Sequence, residues 1–225
     1  MPTIAKTASP YPPLNVQVHT PLLSLLGATD ELLEQLLPVV RKGVVTAPPW
    51  PFDDPMSLYK DNPDREWAWL RAIWAGRAKV SDDFWRLYFV VAVDGKPVGM
   101  QDLKATNFSD FGAVDTFSWL SPDARGRGLG KEMRRAVLHL AFDGLHAQAA
   151  ASDAFFDNHA SNRVSEALGY QRNGTDWATR RSEAAELYRW RLTREQWFKS
   201  RRDDIDLIGV AECRPVLGLL STGDH

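Results

Sequence analysis

Residues 114–130 read VDTFSWLSPDARGRGLG, in which a strand pattern leads directly into a glycine-rich turn. The segment 114–120 has the β-branched and aromatic residues of a strand. A helix follows the turn, because apolar residues recur there at helical spacing. Its apolar positions are Leu129, Met133, Val137, Leu140, Ala141 and Leu145. The turn therefore lies between the end of a strand and the N-terminus of a helix.

The turn has the composition of an anion-binding site. Glycine at every second position lets several backbone N–H groups converge at the helix N-terminus, where the helix dipole adds partial positive charge. Arg125, Arg127 and Lys131 place further positive charge at the same point. These features indicate a site for a pyrophosphate group. An ordinary glycine turn is the competing interpretation.

Two common nucleotide-binding motifs do not fit this turn. A Walker A loop requires Ser or Thr directly after its Gly-Lys pair, and here Glu132 follows Lys131. A Rossmann fingerprint has the spacing GxGxxG and opens a βαβ unit, whereas these glycines are two apart and the preceding strands are predicted to form hairpins. The turn therefore belongs to neither class.

Upstream of the turn, the pattern predicts a strand, two helices and a hairpin. These are a strand over 14–18, a helix from the N-cap Thr29 to Gly43, a helix over 64–79, and a hairpin of 87–93 and 97–103 around Asp94-Gly95. Between the helices, the segment 46–55 contains four prolines and is therefore predicted to be an irregular loop. Its Trp50 and Phe52 are candidates to line a pocket.

Downstream of the turn, the pattern predicts a weak strand over 147–154, a short helix capped by Asn158 and ending at Gly169, and a hairpin of 177–181 with 186–192. From residue 193 a short helical pattern precedes a basic run and then an acidic run. We therefore expect a flexible, proline-rich lead-in over 1–13, a single domain over 14–200 and a C-terminal tail over 201–225.

The composition is that of a soluble globular chain, with 225 residues of which 44% are hydrophobic and 25% charged. A net charge of -2 gives no indication of a nucleic-acid or membrane partner. The single cysteine, Cys213, cannot form an intramolecular disulfide or a CxxC metal site, and the histidines lack metal-ligand spacing, so no metal is expected. With neither a signal peptide nor an apolar run of roughly 18 residues, the chain is predicted to be cytoplasmic.

Two motifs, in this order, resemble the GCN5-related N-acetyltransferase (GNAT) superfamily and, within it, the branch of the ribosomal-protein N-terminal acetyltransferases. The first, [QR]-x-x-G-x-[GA], is matched by Arg125, Gly128 and Gly130. The second, an Asn followed by a short helix ending in Leu-Gly-aromatic, runs from Asn158 to Tyr170. The resemblance implies an α/β (α+β) fold with a mixed, mostly antiparallel central sheet, splayed middle strands and flanking helices.

The resemblance also implies an N-acyltransferase that moves an acetyl group, or a larger acyl group such as succinyl, directly from CoA to a primary amine. Acyl-CoA is then the expected co-substrate, and no acyl-enzyme is needed. The acceptor can be a protein N-terminus, a lysine or a small molecule. The sequence does not decide between these acceptors, nor whether the chain forms a homodimer. A catalytically silent acyl-CoA-binding protein is the alternative function.

The implied site follows from the matched motifs. The residues expected to bind the donor are Trp119, Leu120, Arg125, Gly126, Arg127, Gly128, Leu129, Gly130, Lys131, Asn158 and Ser161. Asp115 is the candidate general base, because related sequences often carry Glu on this strand; a purely structural carboxylate is the alternative. Many GNAT enzymes place a Tyr where this chain has Ser165, so Ser165 or Ser161 is the candidate hydrogen-bond donor to the leaving thiolate. Trp50 and Phe52 are the candidates for the acceptor pocket.

Overall fold

The structure is a computed structural model that describes residues 8–45, 47–53 and 57–219. Within these residues, nine strands form one sheet. They are β1 (Gln17–His19), β2 (Ser24–Gly27), β3 (Phe84–Val93), β4 (Lys96–Thr106), β5 (Ala113–Leu120), β6 (Ala149–Phe155), β7 (Gln171–Arg180), β8 (Glu183–Thr193) and β9 (Asp206–Ile208). Their order is β7-β8-β6-β5-β4-β3-β2-β1-β9, and every neighbouring pair is antiparallel except β5 and β6. The mixed, mostly antiparallel sheet is confirmed.

Helices cover both faces of this sheet. They are α1 (Asp30–Lys42), α2 (Asp64–Arg77), α3 (Phe108–Phe111), α4 (Leu129–His139), α5 (His159–Ala167), α6 (Arg194–Phe198) and α7 (Val210–Cys213). The predicted N-caps of α1 and α5 are confirmed: Thr29 accepts from the N–H of Leu32, and Asn158 accepts from that of Ser161. No helix in the described part of the chain combines the length and the apolarity needed to cross a bilayer.

Two apolar cores lie on opposite faces of the sheet. On one face, α1 and α2 pack against the central strands through residues such as Leu33, Trp69 and Trp119. On the other, α4, α6 and the C-terminal segment, residues 201–219, pack through residues such as Val137, Trp197 and Leu217. We call these the α1–α2 face and the α4 face. Each fully buried large apolar side chain contributes roughly 1.5–3 kcal/mol, so both layers hold the central strands in place.

The central strands β5 and β6 separate partway along their length. Among the described residues, their parallel pairing joins Ala113, Val114 and Asp115 to Ala149, Ala150 and Ala151 and goes no further. Beyond this point β5 continues in pairing with β4, while β6 continues in pairing with β8. The two strands therefore form a fork that opens after Asp115, which confirms the splayed middle strands.

The C-terminal segment is part of the domain, so the boundary predicted at residue 200 is wrong. Strand β9 pairs with β1 at the sheet edge, and Cys213 and Leu217 are buried in the core of the α4 face. The preceding charged run is not a solvated tail either, because Arg201 bonds to Asp143 at 2.6 Å and Arg202 bonds to Glu132 at 2.9 Å. The apolar residues that follow the charges can therefore pack on the sheet through residue 219.

The start of the chain also differs from the prediction. Residues 8–13 are not a free lead-in, since Pro13 is buried and the side-chain amide of Asn15 donates to the backbone carbonyl of Ser9 at 2.8 Å. The first strand begins at Gln17 rather than at Leu14, and β2 was not predicted. Parts of three predicted segments lie outside the described residues. They are residues 1–7 of the lead-in, residues 46 and 54–56 in and next to the proline-rich loop, and residues 220–225 of the tail.

Candidate active site

A cavity of about 430 Å³ opens at the fork, on the α1–α2 face of the sheet. Alternation along β5 places Asp115, Phe117 and Trp119 on one face, and all three line the cavity. The opposite side comes from β6 with Asp153 and Phe155. Strands β3 and β4 and the proline-rich loop also contribute, and further walls come from α2 and from the β7–β8 hairpin, through residues that include Trp69, Ile73, Asp176, Trp177 and Leu187.

Carboxylates outnumber cationic groups on the cavity wall. The five carboxylates are Asp53, Asp102, Asp115, Asp153 and Asp176, and the cationic groups are Arg86 and Lys104. A concave wall with this excess of negative charge concentrates cations near it. A cationic ligand therefore matches the charge of the cavity.

One of these carboxylates is locked into an ion pair at the cavity floor. Asp102 is 5% exposed, and its Oδ2 accepts from Arg86 Nε at 3.0 Å and Nη2 at 2.5 Å. Burial raises the pKa of Asp102, against the opposing charge of Arg86. Arg86 also lies 5.0 Å from the ring centre of Tyr88. Since its partner and this ring fix the guanidinium, the pair shapes the floor of the cavity.

The glycine turn has the backbone conformation that the sequence predicts. Gly126 and Gly128 have φ values of 74° and 79°, in the left-handed region that disfavours residues with a Cβ atom. Gly128 is the N-cap of α4, so the free N–H groups of the first helical turn lie directly after it. A Cβ atom at Gly130 would meet only Val164, at 3.9 Å, which leaves space for a ligand beside the backbone. Arg127 and Lys131 are exposed at this end of the helix.

Arg125 differs from the other two cations of the turn. Its guanidinium donates to the carbonyl of Leu120 from Nε at 3.1 Å and from Nη2 at 2.9 Å, and to the carbonyl of Val44 at 2.5 Å. The side chain therefore ties the turn to the end of β5 and to the loop after α1. Leu120 itself is buried on the α4 face. Leu129 is buried in the same core, where it anchors the first turn of α4.

The second motif forms the start of α5. The Asn158 side chain accepts from the Ser161 N–H at 3.2 Å, so it serves as the helix cap. Ser161 is partly exposed in the first turn. Ser165 is fully buried, and within the described part of the chain its Oγ has no hydrogen-bond partner and does not line the cavity. Neither candidate hydroxyl lines the cavity among the described residues, but the two differ in burial, since Ser161 is partly exposed and Ser165 is not.

The proline-rich loop contributes to the cavity through other residues than Trp50 and Phe52. Phe52 is 4% exposed and lies 6.1 Å, between ring centres, from Phe117. Trp50 packs edge-on against Tyr59, and its carbonyl accepts from Arg180 of β7. In the described structure, the residues of this loop that line the cavity are Pro51 and Asp53. Phe52 therefore supports the wall from behind, because the alternate residues face inward.

The sequence analysis did not predict three features of the cavity: Asp153 of β6, Asp176 of β7, and the Arg86–Asp102 ion pair at the floor. Asp153 falls in a strand that the pattern predicts only weakly, and Asp176 lies in an exposed hairpin strand. Strand alternation places Asp153 on the face of Ala151, but the β5–β6 register is needed to show that this is also the face of Asp115. No group of three or more metal-ligating side chains that could hold an ion occurs within the described ranges.

Comparison with known proteins identifies the family. A family model described as an acetyltransferase (GNAT) domain matches residues 29–171, which is more than half of the chain. RimL, a ribosomal L7/L12 alpha-N-protein acetyltransferase solved with coenzyme A, is 16% identical with a TM-score of 0.59, over 77% of this chain and 95% of that chain. A GNAT-family acetyltransferase from Bacillus anthracis is 16% identical with a TM-score of 0.60, over 80% and 99% of the two chains.

An N-acetyltransferase from Staphylococcus aureus Mu50 is 14% identical with a TM-score of 0.56, over 76% of this chain and 98% of that chain. At these identities the solved structures show a common fold, whereas the matched domain model shows the family. The resemblance carried by the glycine turn and the Asn158 motif is thereby confirmed. The chain belongs to the acetyltransferase (GNAT) family.

Proposed function

We propose that this protein is an N-acyltransferase that binds an acyl-CoA at the fork between β5 and β6 and transfers the acyl group to a primary amine in the cavity. The observation that carries this proposal is the end of the β5–β6 pairing at Asp115 and Ala151, directly beside a cavity of about 430 Å³. Among the described residues, the edge of β5 that faces β6 has no strand partner beyond Asp115, and an extended ligand can bond to such an edge.

The donor extends from the glycine turn to the fork in this proposal. Backbone N–H groups of residues 126–130 bind the pyrophosphate, since those of Arg125 and Lys131 already donate to the carbonyl groups of Pro122 and Gly128. The side chains of Arg127 and Lys131 add positive charge from the exposed end of α4. The free edge of β5 near Trp119 and Leu120 binds the remainder of the donor. Asn158 and Ser161 flank it from the start of α5. Arg125 acts by holding the turn in place, because its guanidinium is already bonded to two carbonyl groups.

Transfer proceeds directly from donor to acceptor. The amine attacks the thioester carbonyl, so the protein needs no nucleophile of its own, and Cys213 is buried on the α4 face. A carboxylate of the cavity removes a proton from the acceptor. Asp115 is the sequence's candidate for this base, and Ser161, the more accessible of the two serines, is the candidate hydrogen-bond donor to the thiolate. The transferred group is acetyl or a larger acyl group such as succinyl.

The acceptor is a protein N-terminus, a lysine side chain or a small-molecule amine. The excess of carboxylates on the cavity wall supports a cationic acceptor in each case. RimL is a ribosomal L7/L12 alpha-N-protein acetyltransferase, and this makes peptides with a free N-terminus reasonable first probes. Two such peptides, one beginning with Ser and one with Ala, represent this acceptor class. Spermidine and a lysine peptide with a blocked N-terminus represent the other acceptor classes.

Two measurements test the proposal. Calorimetric titration with acetyl-CoA and with succinyl-CoA should show saturable binding of at least one donor; absence of binding to both would overturn the proposed function. Release of free CoA thiol is then measured with the four amines. A catalytically silent binding protein is the second candidate, because the usual Tyr position is occupied by the buried Ser165. It would bind a donor and release no thiol with any acceptor.

A further inference from the structure

Two carboxylates of the cavity wall lie near the point where β5 and β6 separate. Asp115 is the last residue of β5 that pairs with β6, and its partner is Ala151. Asp153 is two residues further along β6, on the same face of the sheet and beyond the point where pairing stops. We propose that Asp153, rather than Asp115, accepts the proton of the acceptor amine. This inference rests on the proposed function and assigns the base within that site.

Asp115 is poorly placed for this task. Its side chain is 53% exposed, at the closed end of the fork, and it lies 3.5 Å from the ammonium group of Lys104 on β4. Exposure and pairing do not separate the two carboxylates, because the side chain of Asp153 is 43% exposed and lies 3.8 Å from Arg189. Their positions do, because Asp115 stands where β5 and β6 are still paired, whereas Asp153 stands where the two strands have separated. Asp115 is therefore better suited to supply negative charge near the site than to accept a proton in it.

The surroundings of Asp153 favour a proton acceptor. In the described structure it is paired with Arg189 of β8, whose Nε lies 3.8 Å from Oδ1 and whose Nη1 lies 3.6 Å from Asp176 of β7. Burial raises the pKa of Asp153; Arg189 and Lys104 oppose this rise, and the negative charges of Asp115 and Asp176 add to it. A carboxylate whose pKa is raised towards neutrality is a stronger base than an ordinary one.

The proton balance of the step is complete with this base. The acceptor enters as an ammonium ion and gives one proton to the carboxylate of Asp153. The neutral nitrogen then forms a bond to the acyl carbon, and the carbon–sulfur bond breaks. The second proton of the nitrogen passes to the departing sulfur, which gives an amide and the free thiol. Asp153 returns its proton to water.

The test compares Asp153→Asn and Asp115→Asn with the unmodified protein, with acetyl-CoA as donor and the best of the four amines as acceptor. Asp153→Asn should lower kcat by about 100- to 10,000-fold, with acetyl-CoA affinity retained. Asp115→Asn should move the acidic limb of the kcat/KM profile to lower pH, because loss of a neighbouring negative charge lowers the pKa of Asp153. Asp94→Asn, in the β3–β4 turn at φ 49°, is the matched control and should change neither quantity.

The results separate this inference from the proposed function. If the unmodified protein turns over and Asp153→Asn retains its kcat and its acidic limb, Asp153 is not the base and only this inference fails. If Asp115→Asn abolishes turnover at every pH, Asp115 is the base. If the unmodified protein binds no donor, the proposed function itself fails.

A second readout needs no acceptor. The side-chain carbonyl carbon of Asp153, followed by NMR in protein labelled at aspartate, should titrate above the ordinary aspartate value of 3.8. The midpoint of the Asp153 titration should move to lower pH in Asp115→Asn. A midpoint at or below the ordinary value in the unmodified protein would overturn the assignment.

Discussion

The guanidinium of Arg125 donates to the backbone carbonyl of Val44 at 2.5 Å and thereby joins the glycine turn to the loop that follows α1. The same group bonds to the carbonyl of Leu120 at the end of β5. One side chain therefore connects three segments that lie far apart in the sequence. Arg125, Arg127 and Lys131 are all exposed residues, so their hydrogen bonds and not their exposure distinguish them. The structure divides these three cations into Arg125, whose guanidinium is bonded to these carbonyl groups, and the pair at the start of α4, which the described structure does not bond to them.

This division predicts different effects for two substitutions. Arg125→Ala should lower the free energy of unfolding by roughly 1–3 kcal/mol, because two partly buried carbonyl groups lose their donor. Arg127→Ala should leave stability unchanged and weaken acetyl-CoA binding, with the loss shrinking as salt is added. Chemical denaturation and calorimetry at two salt concentrations measure both. A stable Arg125→Ala protein with normal denaturation would contradict the positioning role.

The glycine turn predicts a paired comparison. Gly128→Ala places a Cβ atom at φ 79° and should destabilise the protein by about 1–2 kcal/mol. It should also weaken acetyl-CoA binding, because relief of the strain rotates the peptide N–H groups at the start of α4. Gly95→Ala in the β3–β4 turn, at φ 73° with open space around it, is the control. It should cost similar stability and leave donor affinity intact; equal affinities in the two variants would argue against donor binding at the turn.

The packed C-terminal segment makes a stability prediction. Leu217 is 1% exposed in the core of the α4 face, so Leu217→Ala should lower the free energy of unfolding by roughly 2–5 kcal/mol. Ile208→Ala is the matched control, since Ile208 is 50% exposed on β9, and its effect should be under about 1 kcal/mol. Urea denaturation of both variants decides the matter. A negligible effect of Leu217→Ala would mean that the segment is not part of the folded core.

His139 predicts a loss of stability in mild acid. Burial lowers the pKa of His139 below its ordinary value of 6.5, with Arg201 acting in the same direction and Asp143 opposing it. The unfolded chain therefore binds a proton more readily than the folded one, and stability present above pH 6.5 is lost as the pH falls through and below that value. The free energy of unfolding, measured by denaturation, should differ less between pH 7.5 and pH 5 in His139→Gln than in the unmodified protein.

The control for this prediction is His159→Gln, since His159 is exposed on α5 and its replacement should preserve the full difference. Part of the difference should persist in His139→Gln, because the pKa of His146 is also lowered by burial. An unchanged difference in His139→Gln would show that its protonation is not linked to unfolding.

Elements with local signals were predicted well from the sequence. The cap of α1 at Thr29 and the glycine turn before α4 depend on side-chain chemistry and backbone preference within a few residues. The family motifs are of the same kind, since Arg125 to Gly130 are contiguous. The packing of the C-terminal segment was missed because short apolar stretches after a charged run, such as β9 and Cys213, have no periodicity to mark them.

The sequence by itself determined the family, the strand–turn–helix unit and the cation-rich turn, because each depends on neighbouring residues. The composition of the cavity was decided only by the tertiary structure. A bulge between Val91 and Ala92 shifts the β3–β4 register and so fixes which residues stand beside Arg86. In the same way, the position of Asp153 depends on where two strands from distant parts of the chain stop pairing. Register and divergence are properties of paired strands, and a single strand does not encode them.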